Sequence, residues 1–327
     1  MSKLLSFFQL VAVIATTALY VQTSCAQKTY PNKPVRFIIP WPAGNTTSDV
    51  ILRPITIKLS EAWGQQVLLE NRAGASGMIG TEHVARAAPD GYTLLMAGSP
   101  IYIAPSLFKN VPYNSLNDFA PITLLALVPN VVAVHPSVPA TTVKELIALA
   151  RSKPGQLNFA GTGNATPGHL GGELFNTMAG VNMLHVPYKG GAPAMVAAIS
   201  GEVSVIFVAT GGAIAQAQAG RLRIIAVTTR ERIPQLPDTP TVSEAGLAGY
   251  EIVSWYGILA PAGISPGLLS KLHTDILHTM NSKEVREPIL SRGAIPIGNT
   301  PDEFKTRIRQ DIDKWKKLIT ASGAKLD

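Results

Sequence analysis

The residues best placed for chemistry lie in Gly161-Thr-Gly-Asn-Ala-Thr-Pro-Gly-His-Leu-Gly-Gly-Glu173. This stretch follows the apolar run Leu157–Ala160, and Pro167 suits the first turn of a helix because its missing N–H is not needed there. A glycine-rich turn between a strand and a helix presents backbone N–H groups at the positive helix end, where an anion binds. A dinucleotide fingerprint does not fit. The third glycine has the wrong spacing, and the next strand closes as His185-Val-Pro-Tyr-Lys189, with no acid for a ribose. A Walker sequence is absent, and Gly74-Ala-Ser-Gly77 lacks the spacing of a nucleophile elbow.

Metal chemistry finds little support. His273 and His278 are five apart and so fall on different helix faces, and no His-Glu-x-x-His occurs. His83 and His169 sit beside glycine-rich turns, where a hydrogen-bonded structural histidine is the commoner case. Asp49 reads as a helix N-terminal acid rather than a general base. No nucleophile–base pair is evident, so the expectation is a binding site with no catalytic residue, metal or cofactor. Its donors would be backbone N–H groups and hydroxyls.

Elements that could position such a loop alternate along the chain. Apolar runs at Val35–Ile39, Val67–Glu70, Tyr92–Met96, Ile122–Ala126, Val131–Val134, Leu157–Ala160, Leu184–Tyr188, Val203–Phe207, Arg223–Val227 and Tyr250–Leu259 read as strands. Helices are expected between most of them, including Pro167–Ala179 and one opened by a capping box at Thr142-Val-Lys-Glu145. Pro54 inside the first helix predicts a kink or a late start. The alternation predicts open, mostly parallel α/β sheets, with ligands at the C-terminal ends of strands. Three loops there are unusual: Pro40–Ser48, Gly98–Pro100 and Gly161–Pro167.

The chain has 327 residues, 46% hydrophobic and 15% charged, which suits two globular domains and excludes disorder. Residues 1–26 read as a cleaved export signal: Lys3, an apolar run from Leu4 to Val21, and Ser24-Cys25-Ala26 before the cut. An uncleaved anchor and a lipidated Cys25 are the alternatives. Cleavage would remove the only cysteine, and with Lys3 gone the net charge of +7 becomes +6. The cations are scattered, and Lys314-Trp-Lys-Lys317 reads as a solvated helix face, so nucleic acid is not an expected partner.

Six segments in order carry a family resemblance: Tyr30-Pro-Asn-Lys-Pro34, Pro40-Trp-Pro-Ala-Gly44, Glu70-Asn-Arg-Ala-Gly74, Ala88-Pro-Asp-Gly-Tyr92, Val186-Pro-Tyr-Lys-Gly190 and Pro240-Thr-Val-Ser-Glu-Ala-Gly246. From Tyr30 onward the sequence resembles Bug-type extracytoplasmic solute receptors of tripartite tricarboxylate transporters. The resemblance implies an α/β, two-domain periplasmic-binding-protein fold of type II-like flytrap form with two crossing strands. Domain 1 would be residues 27–128 plus 252–327, and domain 2 residues 129–251. It implies a periplasmic protein that captures a small organic carboxylate and delivers it to a membrane permease. The implied contacts are Trp41, Gly44, Asn45, Thr46, Ser99, Gly161, Thr162, Gly163, Thr166, His169 and Thr210. Two departures stand out. The first loop reads Gly44-Asn-Thr-Thr-Ser-Asp49 rather than a glycine triplet before Thr-Asp, and Ser204 and Val208 stand where the family often has acids. The loss at Val208 argues against an amino-acid ligand and for an apolar or aromatic body. A sensor feeding a membrane kinase is the rival within binding proteins, and an exported hydrolase using Asp49 or His169 is the rival among enzymes.

Cleavage after Ala26 predicts that intact-mass analysis of the protein recovered from the periplasm finds Gln27, or its cyclised form, at the N-terminus. A full-length chain or a lipidated Cys25 would contradict it.

Overall fold

The computed structural model describes residues 30–43, 46–163 and 166–322. The expected leader, with Cys25, lies outside them. No helix among the described residues is long and apolar enough to cross a membrane.

The strands are β1 (Val35–Ile39), β2 (Val67–Asn71), β3 (Thr93–Ala97), β4 (Phe119–Val134), β5 (Asn158–Gly161), β6 (Leu184–Pro187), β7 (Val205–Ala209), β8 (Arg223–Val227), β9 (Val253–Pro261) and β10 (Ile295–Pro296). The α-helices are α1 (Thr46–Trp63), α2 (Met78–Ala85), α3 (Ser99–Tyr102), α4 (Ala104–Leu107), α5 (Val143–Ser152), α6 (Pro167–Ala179), α7 (Gly191–Ser200), α8 (Thr210–Gln218), α9 (Pro266–Met280), α10 (Lys283–Ser291) and α11 (Pro301–Ser322). Helix α1 starts at Thr46, well before Pro54, so a late start is ruled out.

The sheet runs β2-β1-β3-β9-β4-β7-β5-β6, with β8 and β10 also paired to β4. The outer strands pair in parallel: β2 with β1, β1 with β3, β7 with β5 and β5 with β6. The centre is antiparallel, because β9 opposes both β3 and β4, and β4 opposes β7 and β8. A mostly parallel sheet is therefore corrected to a mixed one.

Strand β4 unites the two apolar runs read at Ile122–Ala126 and Val131–Val134 into sixteen continuous residues. Its first part pairs with β9 as far as Pro129↔Val253, and from Asn130↔Ala209 onward it pairs with β7. The strand changes lobes at Pro129-Asn130. Pro129 has no N–H to offer a ladder, but its carbonyl accepts from the Thr210 hydroxyl at 2.7 Å. Thr228 ties both crossings together. Its N–H donates to Asn130 O at 2.9 Å, and its carbonyl accepts from Ile252 N at 2.8 Å. Its hydroxyl lies 2.9 Å from Asn130 O and 2.6 Å from Ile252 O, one proton serving two carbonyls. Thr210 and Thr228 are both fully buried, so these bonds leave no orphaned carbonyl at the crossing.

Helix α11 spans the junction. It packs on α3, α4 and β4, and also on α6. Its inward residues Phe304, Ile308, Trp315 and Ile319 join a core cluster that contains both Leu95 and Phe159. Buried Asp311 accepts from Trp255 Nε1 at 2.7 Å and from Arg307 Nε at 2.7 Å, while Lys314 reaches Glu251 at 3.2 Å. The basic cluster is thus divided: Trp315 is core, Lys314 is paired, and only Lys316 and Lys317 face solvent.

Asp311→Ala would strand a half-buried guanidinium and a buried indole N–H, and should cost about 3 kcal/mol. Lys316→Ala should stay within about 0.5 kcal/mol. Urea titration of both variants by tryptophan fluorescence checks the contrast, and equal midpoints would refute it.

Candidate functional site

A cleft of about 810 Å³ opens where the two halves of the sheet meet. Residues Trp41, Pro42, Ala43 and Ser99 come from the β1 and β3 side, and Val128, Asn130 and Ser254–Tyr256 from the crossing strands. The opposite wall is built by helix N-termini: Thr166–Gly168 of α6, Gly190–Pro193 of α7, and Ala209 with Gly212 of α8. These helices have 13, 10 and 9 residues, long enough to carry a full end charge. Among the described lining residues Lys189 is the one charged side chain, and it is cationic.

Thr166 shapes the α6 end. Its hydroxyl accepts weakly from His169 N at 3.4 Å, donates to Gly163 O at 2.8 Å and lies 3.0 Å from Thr162 Oγ1. Gly163 turns the loop at φ 127°, a conformation that L side chains rarely adopt. The α7 end is capped differently: Gly190 has φ 110° and no side chain satisfies the first N–H groups. Gly190–Pro193 line the cleft, so this uncapped helix end lies in its wall, as an anion requires.

Trp41 lines the cleft and packs edge-on against Tyr256, with ring centroids 5.3 Å apart. Burial pushes the Tyr256 hydroxyl up to about 12, so it is a neutral donor at physiological pH. A smaller hollow of about 340 Å³ adjoins, sharing Trp41, Ser99 and Thr166 and continuing along Ile103, Leu107 and Phe108.

Of the residues expected from sequence, Trp41, Ser99, Thr162 and Thr166 line the cleft. Gly161 and Gly163 lie in the strand end and turn behind it. Gly44 and Asn45 lie outside the described residues, and Thr46 is described only as the first residue of α1. Two expectations are corrected. Thr210 is buried with its hydroxyl committed to Pro129 O, so it braces the crossing instead of lining the cleft. His169 turns away from the cleft to stack on His185, with ring centroids 4.0 Å apart. Burial first and the neighbouring His185 second hold His169 down at about 4, so it is neutral and its 3.9 Å approach to Glu173 is not an ion pair.

Sequence reasoning missed Asn130, Lys189–Pro193, Gln216 and Ser254. The Gly190-Gly191 pair before an alanine-rich helix was the available signal for the α7 end. Gln216, whose Oε1 is buried with no hydrogen-bond partner, carried none.

Two lobes around a cleft, joined by crossing strands, are the architecture of periplasmic-type solute-binding proteins. Residues 51–324 match the family described as "Tripartite tricarboxylate transporter family receptor", and the chain belongs to that family. Protein BugT of Bordetella pertussis is 34% identical over 315 residues, 96% of each chain. Among solved structures, Rpa4515 of R. palustris, determined with adipate, is 34% identical, with a TM-score of 0.80 over 90% of this chain and 98% of its own. MatC of Rhodopseudomonas palustris, determined with bound malate, is 28% identical, with a TM-score of 0.76 over 89% and 100%.

Thr166→Ala removes the α6 cap and should lower stability by about 1 kcal/mol. Thr162→Ala removes a single hydroxyl contact and should cost less. Thermal melts of the two variants test the order, and a larger loss at Thr162 would contradict this account of the loop.

Proposed function

We propose that the protein is a periplasmic receptor that captures a small organic carboxylate between its lobes, without chemical change, and delivers it to a membrane permease. The observation that carries this is the cleft's polarity: three helix N-termini and one lysine face it, and no acid lines it among the described residues. Carboxylate is the anion that similar proteins of known structure suggest, since Rpa4515 and MatC were determined with adipate and malate. The lobes are proposed as residues 27–128 plus 252–327 and residues 129–251. The hinge falls at Leu127–Asn130 and Tyr250–Ser254, where β4 changes partners and Thr228 joins the crossings. Export with cleavage after Ala26 belongs to the same proposal.

Val208, Met195 and Val128 add an apolar wall to the cleft that Trp41 also lines. That wall favours a ligand with an apolar or aromatic body, and it offers no partner to an ammonium group. A sensor role would use the same cleft and differ only in the membrane partner.

Calorimetry with benzoate-like acids and short aliphatic mono- and dicarboxylates, against Asp, Glu and their amides, tests the proposal. The plain acids should bind and the amino acids should not. Gly163→Val forces a branched side chain into the φ 127° turn and should weaken acid binding at least tenfold. Val208→Asp places an unpaired acid in the wall and should weaken it too. Small-angle scattering should give a smaller radius of gyration with ligand, because a ligand bridging both lobes favours the closed state. Tight binding of an amino acid, or product formation from a bound acid, would overturn the proposal.

A further inference from the structure

His169, Glu173 and His185 form a second polar cluster, apart from the cleft lining. His169 and Glu173 are one turn apart on α6, so they share a face. His185 projects from β6, which pairs with β5 through Phe159↔His185 and Gly161↔Pro187. One ligand-type atom from each residue lies within 4.8 Å of the other two, and all three residues are half-buried. The neighbourhood is tight and partly dry. The Phe159 ring stands 5.1 Å from His185, and Gly161 lies so close that a Cβ there would collide with His185 Nε2.

The arrangement leaves a debt. His185 Nε2 is buried with no hydrogen-bond partner, and a buried polar atom left unsatisfied destabilises the fold. The other groups nearby are imidazole and carboxylate, which are electron-pair donors when His is neutral and Glu is ionised. Two imidazoles and one carboxylate make the donor set of a borderline transition ion, with a fourth position left for water.

We infer that His169, Glu173 and His185 constitute a binding site for a divalent transition ion of the zinc class, which pins the start of α6 to β6 behind the Gly161–Thr166 loop. Tetrahedral ligation at about 2.1 Å needs donor atoms about 3.4 Å apart, so binding draws in the 4.8 Å set and swings one imidazole out of its stack on the other, because in-plane lone pairs of stacked rings do not converge. Such a clamp acts on the loop from behind. His169 N is bonded to the Thr166 cap at 3.4 Å, and Gly161 N–H and carbonyl belong to the strand beside His185. The remaining histidines, His83, His135, His273 and His278, belong to other segments of the chain and give no comparable set among the described residues.

The test is zinc titration of the purified, chelator-treated protein against a chromophoric competitor. The expected result is one Zn²⁺ per chain, and a thermal midpoint that rises with zinc because the ion binds only the folded form. His185→Gln and Glu173→Gln should each weaken zinc at least tenfold and abolish the rise in midpoint. Circular dichroism and carboxylate calorimetry on the same variants establish that they remain folded, which separates loss of the ion from loss of the fold. No stoichiometric zinc binding by the unaltered protein overturns the inference. So does zinc affinity unchanged in both variants, since the ion then sits elsewhere.

Discussion

Strand β4 must satisfy its backbone along sixteen residues while the partner strand changes beneath it. Up to Pro129 its bonds go to β9, and from Asn130 they go to β7 and β8. At the changeover a proline removes one donor, and two buried threonine hydroxyls take up carbonyls of the crossing backbone. Everything else follows from that junction. The cleft exists because the sheet is handed from one set of strands to another, and Ser254–Tyr256 face it because β9 runs beside the same strand in the opposite direction. Thr228 also ties the two crossings to each other, through Asn130 on one and Ile252 on the other.

The three helix ends divide their labour. The α6 end is organised by its own threonine cap, so its loop is pre-shaped before any ligand arrives. The α7 end has no side-chain cap, so its first N–H groups are left for solvent or solute. The α8 end serves both purposes: its Thr210 hydroxyl secures Pro129, while Ala209 and Gly212 line the cleft. Identical-looking Gly/Thr openings therefore have different uses, and only tertiary contacts separate them.

That distinction marks how far the sequence could be read. The α6 helix falls at Pro167–Ala179 as its proline and cap imply, because both signals are local. The strand near Val203 is displaced to Val205–Ala209, since apolar character alone does not fix a register. Strand β4 was legible only as two pieces because Val128-Pro-Asn130 looks like a break, and the hydroxyl that satisfies the Pro129 carbonyl comes from Thr210, 81 residues on. Three of the family segments explain themselves as packing. Tyr30 donates to Gly91 O at 2.7 Å, and Lys33 sits 4.1 Å over the Tyr92 ring, so two of them hold each other. Thr241 and Glu244 cap one another's backbone N–H groups at 2.9 and 3.0 Å, which accounts for a third. These three do not touch the cleft and report the fold, whereas the segments that contain Trp41 and Lys189 line it and bear on the ligand. Thr210 and His169 looked like contacts because composition shows a hydroxyl or an imidazole near a loop, while its direction depends on partners far away in sequence.

Helix α11 is the last described helix of the chain, yet Phe304, Ile308, Trp315 and Ile319 fill a core shared by both halves of the molecule. The core shared by both halves therefore cannot be completed in a growing polypeptide until those residues have left the ribosome. The cluster around Val131, Ile206 and Val227 needs none of them. Burial within one half can thus precede the joining of the two, and the seam between them is the part of the core that the order of elements along the chain leaves until last.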